Sequence, residues 1–272
     1  MIKIIGVGDN TVDRYLHLGK MFPGGNAVNV PVLAHRMGNL AAYLGWLAKD
    51  PHGMLVYNSL IKEGIDVSRC RLIDGKNAYC EITLKDGDRV FGEFSEGVCN
   101  QINLNDDDYD FISTFDLMHT SIYSFIAPFL KKIRSACKRI SFDFSQEWDR
   151  KILADTLPFV DIALISATNE SKEYCKEMMH YAYSYGPEIV LITRGELGAM
   201  LYDGKQIYQQ PILQIEEAKD TLGAGDAFVA RFLVDHLNGK SIKTSLENAA
   251  MSAAETCSYY GAFGHASPLW ME

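Results

Sequence analysis

Three features of the chain predict a doubly wound α/β fold, a mostly parallel sheet with helices on both faces. Short apolar runs bounded by turn residues alternate with longer stretches of helical period. The 272 residues are enough to bury a large core. A composition of 47% apolar and 22% charged residues is that of an ordinary globular chain.

The first strand is expected at residues 2–7, an apolar run too short for a signal peptide. A helix over 27–37 and a strand at 41–47 follow, then a helix over 54–63. Gly38 and Gly64 stand just past the two helices, where a C-terminal glycine is expected. Residues 78–84 and 89–94 read as strands joined by Lys85-Asp86-Gly87-Asp88, a hairpin linker. No helix follows either strand. The hairpin is therefore expected off the main sheet, where with residues 14–18 it makes a small β lid over a cleft. Strands at 117–120, 140–144, 161–165 and 189–193 resume the alternation, with helices over 128–137 and 171–185. Two helices, 225–237 and 242–260, close the chain. The second carries Leu246, Ala249, Ala250, Ala253, Ala254 and Cys257 along one flat face that can pack closely on a neighbour. Residues 1–272 are read as one domain bearing the lid.

A net charge of −9 disfavours broad binding to nucleic acid or to anionic membrane, which reward exposed Lys and Arg. The six cysteines form no CxxC pair and fall mostly in apolar segments, as reduced buried thiols do. No stretch reaches the roughly 20 apolar residues of a membrane span. The expected location is the cytoplasm. The seven histidines lack metal-ligand spacing and read as structural or surface groups, and Asp106-Asp107-Asp108 reads as a solvated helix start.

The chemistry concentrates in Asp220-Thr221-Leu222-Gly223-Ala224-Gly225-Asp226. Gly223, Ala224 and Gly225 immediately precede an amphipathic run, so their N–H groups belong to a helix N-terminus, which attracts anions. Glycine also lets the backbone approach an oxyanion closely. Phosphoryl transfer needs such a fixed positive potential, and Asp226 beside it is placed to stay ionised and accept a proton from an attacking hydroxyl.

The whole string resembles the C-terminal signature of the ribokinase-like (PfkB) carbohydrate kinases, with which it aligns without a gap. The resemblance runs over essentially the entire chain. It implies that Asp226 is the catalytic base, with Gly223, Ala224 and Gly225 as the anion hole. Gly24-Gly25-Asn26-Ala27-Val28-Asn29 looks like the family's segment against the sugar, and Asp13 matches its hydroxyl-binding Asp. Asp9, Gly24, Gly25, Asn26 and Asn29 are thereby assigned to the sugar side with Asp13. Asn169, Thr193, Gly195 and Asn248 are assigned to ATP. Where the family often shows Asn-x-x-Glu for magnesium-linked contacts, this chain has Asn169-Glu170-Ser171-Lys172, leaving Glu170 or Glu173 to substitute. Asp220 and the loop around Gly261 would hold the potassium ion that many members use. The cofactors implied are thus ATP, Mg2+ and, for some members, K+.

Within the family the likeness is nearest to fructoselysine 6-kinases, through residues 24–30, 88–98 and 142–149. The implied reaction is phosphorylation of the 6-hydroxyl of a fructosamine, with Arg89 in the lid available to a substrate carboxylate. A fructokinase or nucleoside kinase of the same family is the alternative acceptor reading, and a non-catalytic sugar-binding protein the alternative of another class. A dinucleotide oxidoreductase fails because its glycine fingerprint would need Gly where Thr11 stands. Unpaired lid edges suggest a homodimer.

Overall fold

The apolar run after Met1 becomes β1 (Lys3–Val7), from which the chain swings outward into β2 (Thr11–Tyr15) and β3 (Lys20–Gly24) before α1 (Asn26–Arg36) brings it back. A computed structural model describes all residues except 86–87, 169, 216–217 and 271–272, and the side chains of 84–89 lie outside its description as well. Where one strand was expected at 41–47 there are two, β4 (Leu40–Leu44) and β5 (Trp46–Ala48), because the chain turns at Gly45 out of one sheet and into a second pairing. The helix α2 (Pro51–Glu63) starts earlier than its apolar period suggests. Asp50 caps it by accepting from the Gly53 N–H at 2.8 Å, and Pro51 occupies the first turn.

Beyond β6 (Arg71–Ile73) come the lid strands β7 (Tyr79–Lys85) and β8 (Asp88–Ser95), then α3 (Asp106–Ser113) and β9 (Leu117–Ser121). Strands and helices then alternate through α4 (Leu130–Ala136), β10 (Ile140–Asp143), α5 (Arg150–Thr156), β11 (Ile162–Ser166), α6 (Lys172–Tyr183) and β12 (Ile189–Thr193). The chain ends with β13 (Ala199–Tyr202), β14 (Ile207–Gln210), α7 (Ala224–Leu237), α8 (Ile242–Thr256) and the short β15 (Ser267–Pro268).

The main sheet has eight strands in the order β14-β13-β12-β11-β10-β9-β1-β4, parallel from β4 to β12 and antiparallel at the β13–β14 edge. Its central strands are buried on both faces. Leu164 joins the core shared with α1, α2, α7 and α8, while the next residue, Ile165, joins the core shared with α3 to α6. Doubly wound is therefore the right description.

The lid is larger than the hairpin and 14–18 alone. It is a five-stranded sheet, β15-β3-β2-β7-β8, in which residues 16–18 form the turn between β2 and β3. Tyr15, Phe22 and Ile82 make its small core. One other expectation changes. Asp106 and Asp107 are exposed, but Asp108 is fully buried in a reciprocal capping box with Asn105, and Arg69 and Arg71 each pair with it at 2.7 Å. The glycine of Gly6-Val7-Gly8 that faces α1 serves packing. Pro31 lacks an N–H, so the Ala27 carbonyl has no helical donor, and a Cβ on Gly6 would lie 1.8 Å from that oxygen.

Candidate active site

From β1 the chain continues to β4 on one side and to β9 and β10 on the other, so the winding reverses beside β1. The crevice outside the carboxyl ends of strands at such a switch point is where α/β sheets bind ligands. Here it is a cavity of about 870 Å³. Its walls include Asp9, Asp13, Gly25, Asn26 and Asn29, which the resemblance assigned to the sugar, Thr193, which it assigned to ATP, and Gly223, Gly225 and Asp226.

The two stretches assigned from opposite ends of the sequence meet at Asp226. Asn26 Nδ2 donates to Asp226 Oδ1 at 2.8 Å, and Asn29 Nδ2 donates to Asp226 Oδ2 at 2.6 Å. Burial is the main force raising the Asp226 carboxyl, to about 7, with the neighbouring Asp143 and Asp9 pushing the same way and the two asparagines opposing. This differs from a carboxylate simply kept ionised by a helix N-terminus. Desolvation dominates and places the change of charge near neutrality, the range in which a general base works best.

Gly223 caps α7 in the left-handed conformation, φ 79°, and a Cβ there would lie 2.5 Å from that of Ala262. Both facts require glycine. Gly225 differs, since among the described residues, its chain neighbours and own helix backbone aside, no atom lies within 4 Å of the place its Cβ would take. The first-turn N–H groups of α7 have no intrahelical acceptor, and of these the Ala224 N–H turns back to Thr221 O at 3.3 Å. Gly225 and Asp226 remain as the donors of the expected anion hole.

Of the residues assigned to the sugar, Asp9 is buried, and its Oδ1 accepts from the Ser121 and Ser124 hydroxyls, each at 2.7 Å. Asp13 is buried against Gly24, where a Cβ would lie 2.4 Å from Asp13 Oδ2. Gly25, with φ 107°, starts α1 tight against Asn10. Asn29 Oδ1 is a buried acceptor that no donor reaches among the described residues. A ligand hydroxyl would satisfy it.

The remaining assignments scatter. Thr193 ends β12, and its Oγ1 lies 3.3 Å from Ser166 Oγ. Gly195 follows with φ 55° against Thr168. Asn248 does not line the cavity; its amide donates to Asp235 at 2.5 Å, near the far end of α7 from Asp226. Glu170 is exposed after β11, and no group of three or more acidic, His or Cys side chains fit to hold a metal occurs among the described residues. Asn169 and the Arg89 side chain lie outside the described residues. Asp220 is buried away from the cavity. Its Oδ1 accepts from the Leu222 N–H at 3.0 Å, and its Oδ2 from the Tyr15 hydroxyl at 2.5 Å and the Gly261 N–H at 3.0 Å.

Two groups that reach Asn26 were not singled out in the sequence. Asp143, at the end of β10, accepts from Asn26 Nδ2 at 3.0 Å and from the Ser145 N–H at 2.7 Å, and burial raises it to about 6. A carboxylate closing an apolar strand, Phe142-Asp143, was the available signal. The other is His119, buried in β9 and 2.7 Å from Asn26 Oδ1.

The model of the pfkB family carbohydrate kinases matches residues 1–268. The chain belongs to that family. As a pfkB kinase it is a phosphotransferase that acts on a sugar hydroxyl. It is similar to the fructosamine kinase FrlD of Bacillus subtilis, 38% identical over 275 residues covering 100% of this chain and 96% of that one. It is also similar to the fructoselysine 6-kinase of Escherichia coli, 34% identical over 260 residues covering 94% and 98%. Among solved structures, Arabidopsis thaliana ribokinase complexed with ribose and ATP superposes with a TM-score of 0.83 at 21% identity, covering 96% of this chain and 94% of that one. The fold of this pfkB kinase is thus ribokinase-like.

Proposed function

We propose that this kinase transfers the γ-phosphoryl group of ATP to the 6-hydroxyl of a fructosamine such as fructoselysine. The observation that carries the reading is the joint hold of Asn26 and Asn29 on Asp226, inside a cavity that also takes in Asp13 and Thr193. The names of the two full-length relatives support the acceptor class.

In this mechanism Asp13 and the unpartnered Asn29 Oδ1 accept sugar hydroxyl protons and so orient the acceptor. The reacting hydroxyl gives its proton to Asp226 while its oxygen bonds to the γ-phosphorus. The bond from that phosphorus to the bridging oxygen of ADP breaks. The N–H groups of Gly225 and Asp226 face the charge that develops on the transferring oxygens. Mg2+ would come with the phosphates, which suits a chain whose described residues make no metal cage, and would neutralise their charge. Asp220 and the Cys257 carbonyl accept protein donors in the region that would hold K+, and no step is assigned to potassium.

The lid presents Phe91 and Phe94 to the cavity, 60% and 71% exposed. They suit cover for the part of a fructosamine that extends beyond the sugar, and the same exposure supports pairing of two lids in a homodimer. Six free thiols and ATP as donor favour the cytoplasm, and among the described residues no helix is long and apolar enough to cross a membrane. The test is kcat/KM for fructoselysine against fructose, with the phosphorylated carbon located by NMR. A preference of about tenfold or more, the equivalent of a charge-assisted contact, is expected for fructoselysine. Equal use of the two would make this a general fructokinase.

A further inference from the structure

A strand buried on both faces of a parallel sheet ordinarily carries apolar side chains on both. β9 departs from this in its middle. His119 is fully buried there, and both ring nitrogens are engaged: Nδ1 lies 2.8 Å from Ser141 Oγ, and Nε2 lies 2.7 Å from Asn26 Oδ1.

The protons along this line are fixed by chemistry. One terminal atom of the Asn26 side chain lies between two carboxylates, Asp226 at 2.8 Å and Asp143 at 3.0 Å. Ionised carboxylates only accept, so that atom must be the amide nitrogen, and the amide oxygen must face His119. An oxygen cannot donate, so His119 must carry its proton on Nε2 and accept at Nδ1 from the Ser141 hydroxyl. Burial pushes the imidazole down to about 3, so the ring stays neutral and keeps a single proton for this purpose.

We propose that His119 is a positioning residue for phosphoryl transfer, holding Asn26 in the one amide orientation that turns its two N–H bonds onto Asp226 and Asp143. This rests on the reading of Asp226 as the base. The opposite orientation would set an oxygen against two carboxylates, with the third carboxylate of Asp9 nearby. Without His119 the Asn26 amide oxygen loses its buried donor, and the side chain is no longer tied in the place from which its nitrogen reaches both carboxylates. Asp226 would then lose a donor that favours its ionised form. Among the described residues the carboxyl groups on the cavity walls with Asp226 are Asp143 at the end of β10, Glu147 beyond it, Asp9 after β1, Asp13 on β2 and Glu96 after β8, while α1 lends the cavity the neutral Asn26 and Asn29.

The test is the pH dependence of kcat, at saturating ATP and acceptor, for His119→Leu and His119→Gln, with the KM for ATP and the Tm of each. In His119→Leu the acid limb should move up by about one pH unit, lowering kcat about tenfold at neutral pH and restoring most of it in alkali, with the ATP KM unchanged. His119→Gln should keep the wild-type limb, because its amide can donate from the place of Nε2. Should the leucine variant not fold, His119→Asn, which can reach Ser141 but not Asn26, carries the same comparison. A His119→Leu or His119→Asn enzyme with a lowered Tm and an unmoved limb would overturn the proposal, as would a shifted limb in His119→Gln. If Asp226→Asn is inactive while the limb stays put, only the role of His119 is lost. If Asp226→Asn is active, the reading of the base fails first.

Discussion

Asn29→Leu removes the shorter of the two donors that reach Asp226 while keeping the same branched heavy-atom skeleton. The Asn29 amide lies 2.6 Å from Asp226 Oδ2, and Asn29 is 5% exposed. A hydrogen bond to an ionised group contributes about 1.5–3 kcal/mol, and at about 1.36 kcal/mol per pKa unit its loss raises Asp226 by about one to two units. Starting from about 7, the base would then ionise near pH 8–9. Roughly half of Asp226 is ionised at pH 7 in the wild type, against roughly one part in ten to one in a hundred in the variant. The turnover number at pH 7 should therefore fall by about 5- to 50-fold and recover as the pH approaches 9 to 10. The assay is kcat from coupled ADP release between pH 5.5 and 10, with both substrates saturating so that the lost Asn29 Oδ1 contact does not enter. An acid limb at the wild-type position, with kcat lowered equally at every pH, would refute the claim that Asn29 tunes the ionisation of Asp226.

Three further outcomes follow from the geometry. Gly225→Ala should fold with a Tm close to wild type, because among the described residues, its chain neighbours and own helix backbone aside, its Cβ meets no atom within 4 Å, yet lose most turnover; a fully active variant would remove the anion hole from this place. Asp13→Ala should raise the acceptor KM by about tenfold or more and leave the ATP KM alone, since a desolvated sugar hydroxyl loses its acceptor. An unchanged acceptor KM would mean that the ends of the cavity are assigned backwards. Asp108→Ala should destabilise the fold by about 3–5 kcal/mol, because it strands two arginines and breaks the cap of α3. Denaturant melts would show this as a lower midpoint without loss of specific activity in the folded fraction.

The main sheet was legible because its strands are buried on both faces and so read as unbroken apolar runs; residues 189–193 form β12 with the bounds expected. The lid was less so. β2 and β3, Thr-Val-Asp-Arg-Tyr and Lys-Met-Phe-Pro-Gly, mix charge with apolar residues and so show no unbroken apolar run. The edge strands β13 and β14 were missed because an antiparallel edge needs no helix and leaves no change of period. Within the site, Asp226 and the glycines before it were legible as a helix N-terminus, whereas the elevated Asp226 carboxyl was not. Its cause is burial together with Asp143 and Asp9, groups far apart in the chain. His119 was read as structural for the same reason: its partners Ser141 and Asn26 stand 22 and 93 residues away. Asp108 looked like its two neighbours until Arg69 and Arg71 were seen to reach it.

The most direct test of the account is a single-turnover measurement on Asp226→Asn with ATP and fructoselysine, alongside ATP binding by calorimetry. Asp226 should act by accepting the proton of the attacking hydroxyl, so phosphoryl transfer should slow by about 10²- to 10⁴-fold while ATP affinity stays within about threefold of wild type. Transfer at near the wild-type rate would contradict the account, because the cavity would then phosphorylate its acceptor without the carboxylate that Asn26 and Asn29 hold.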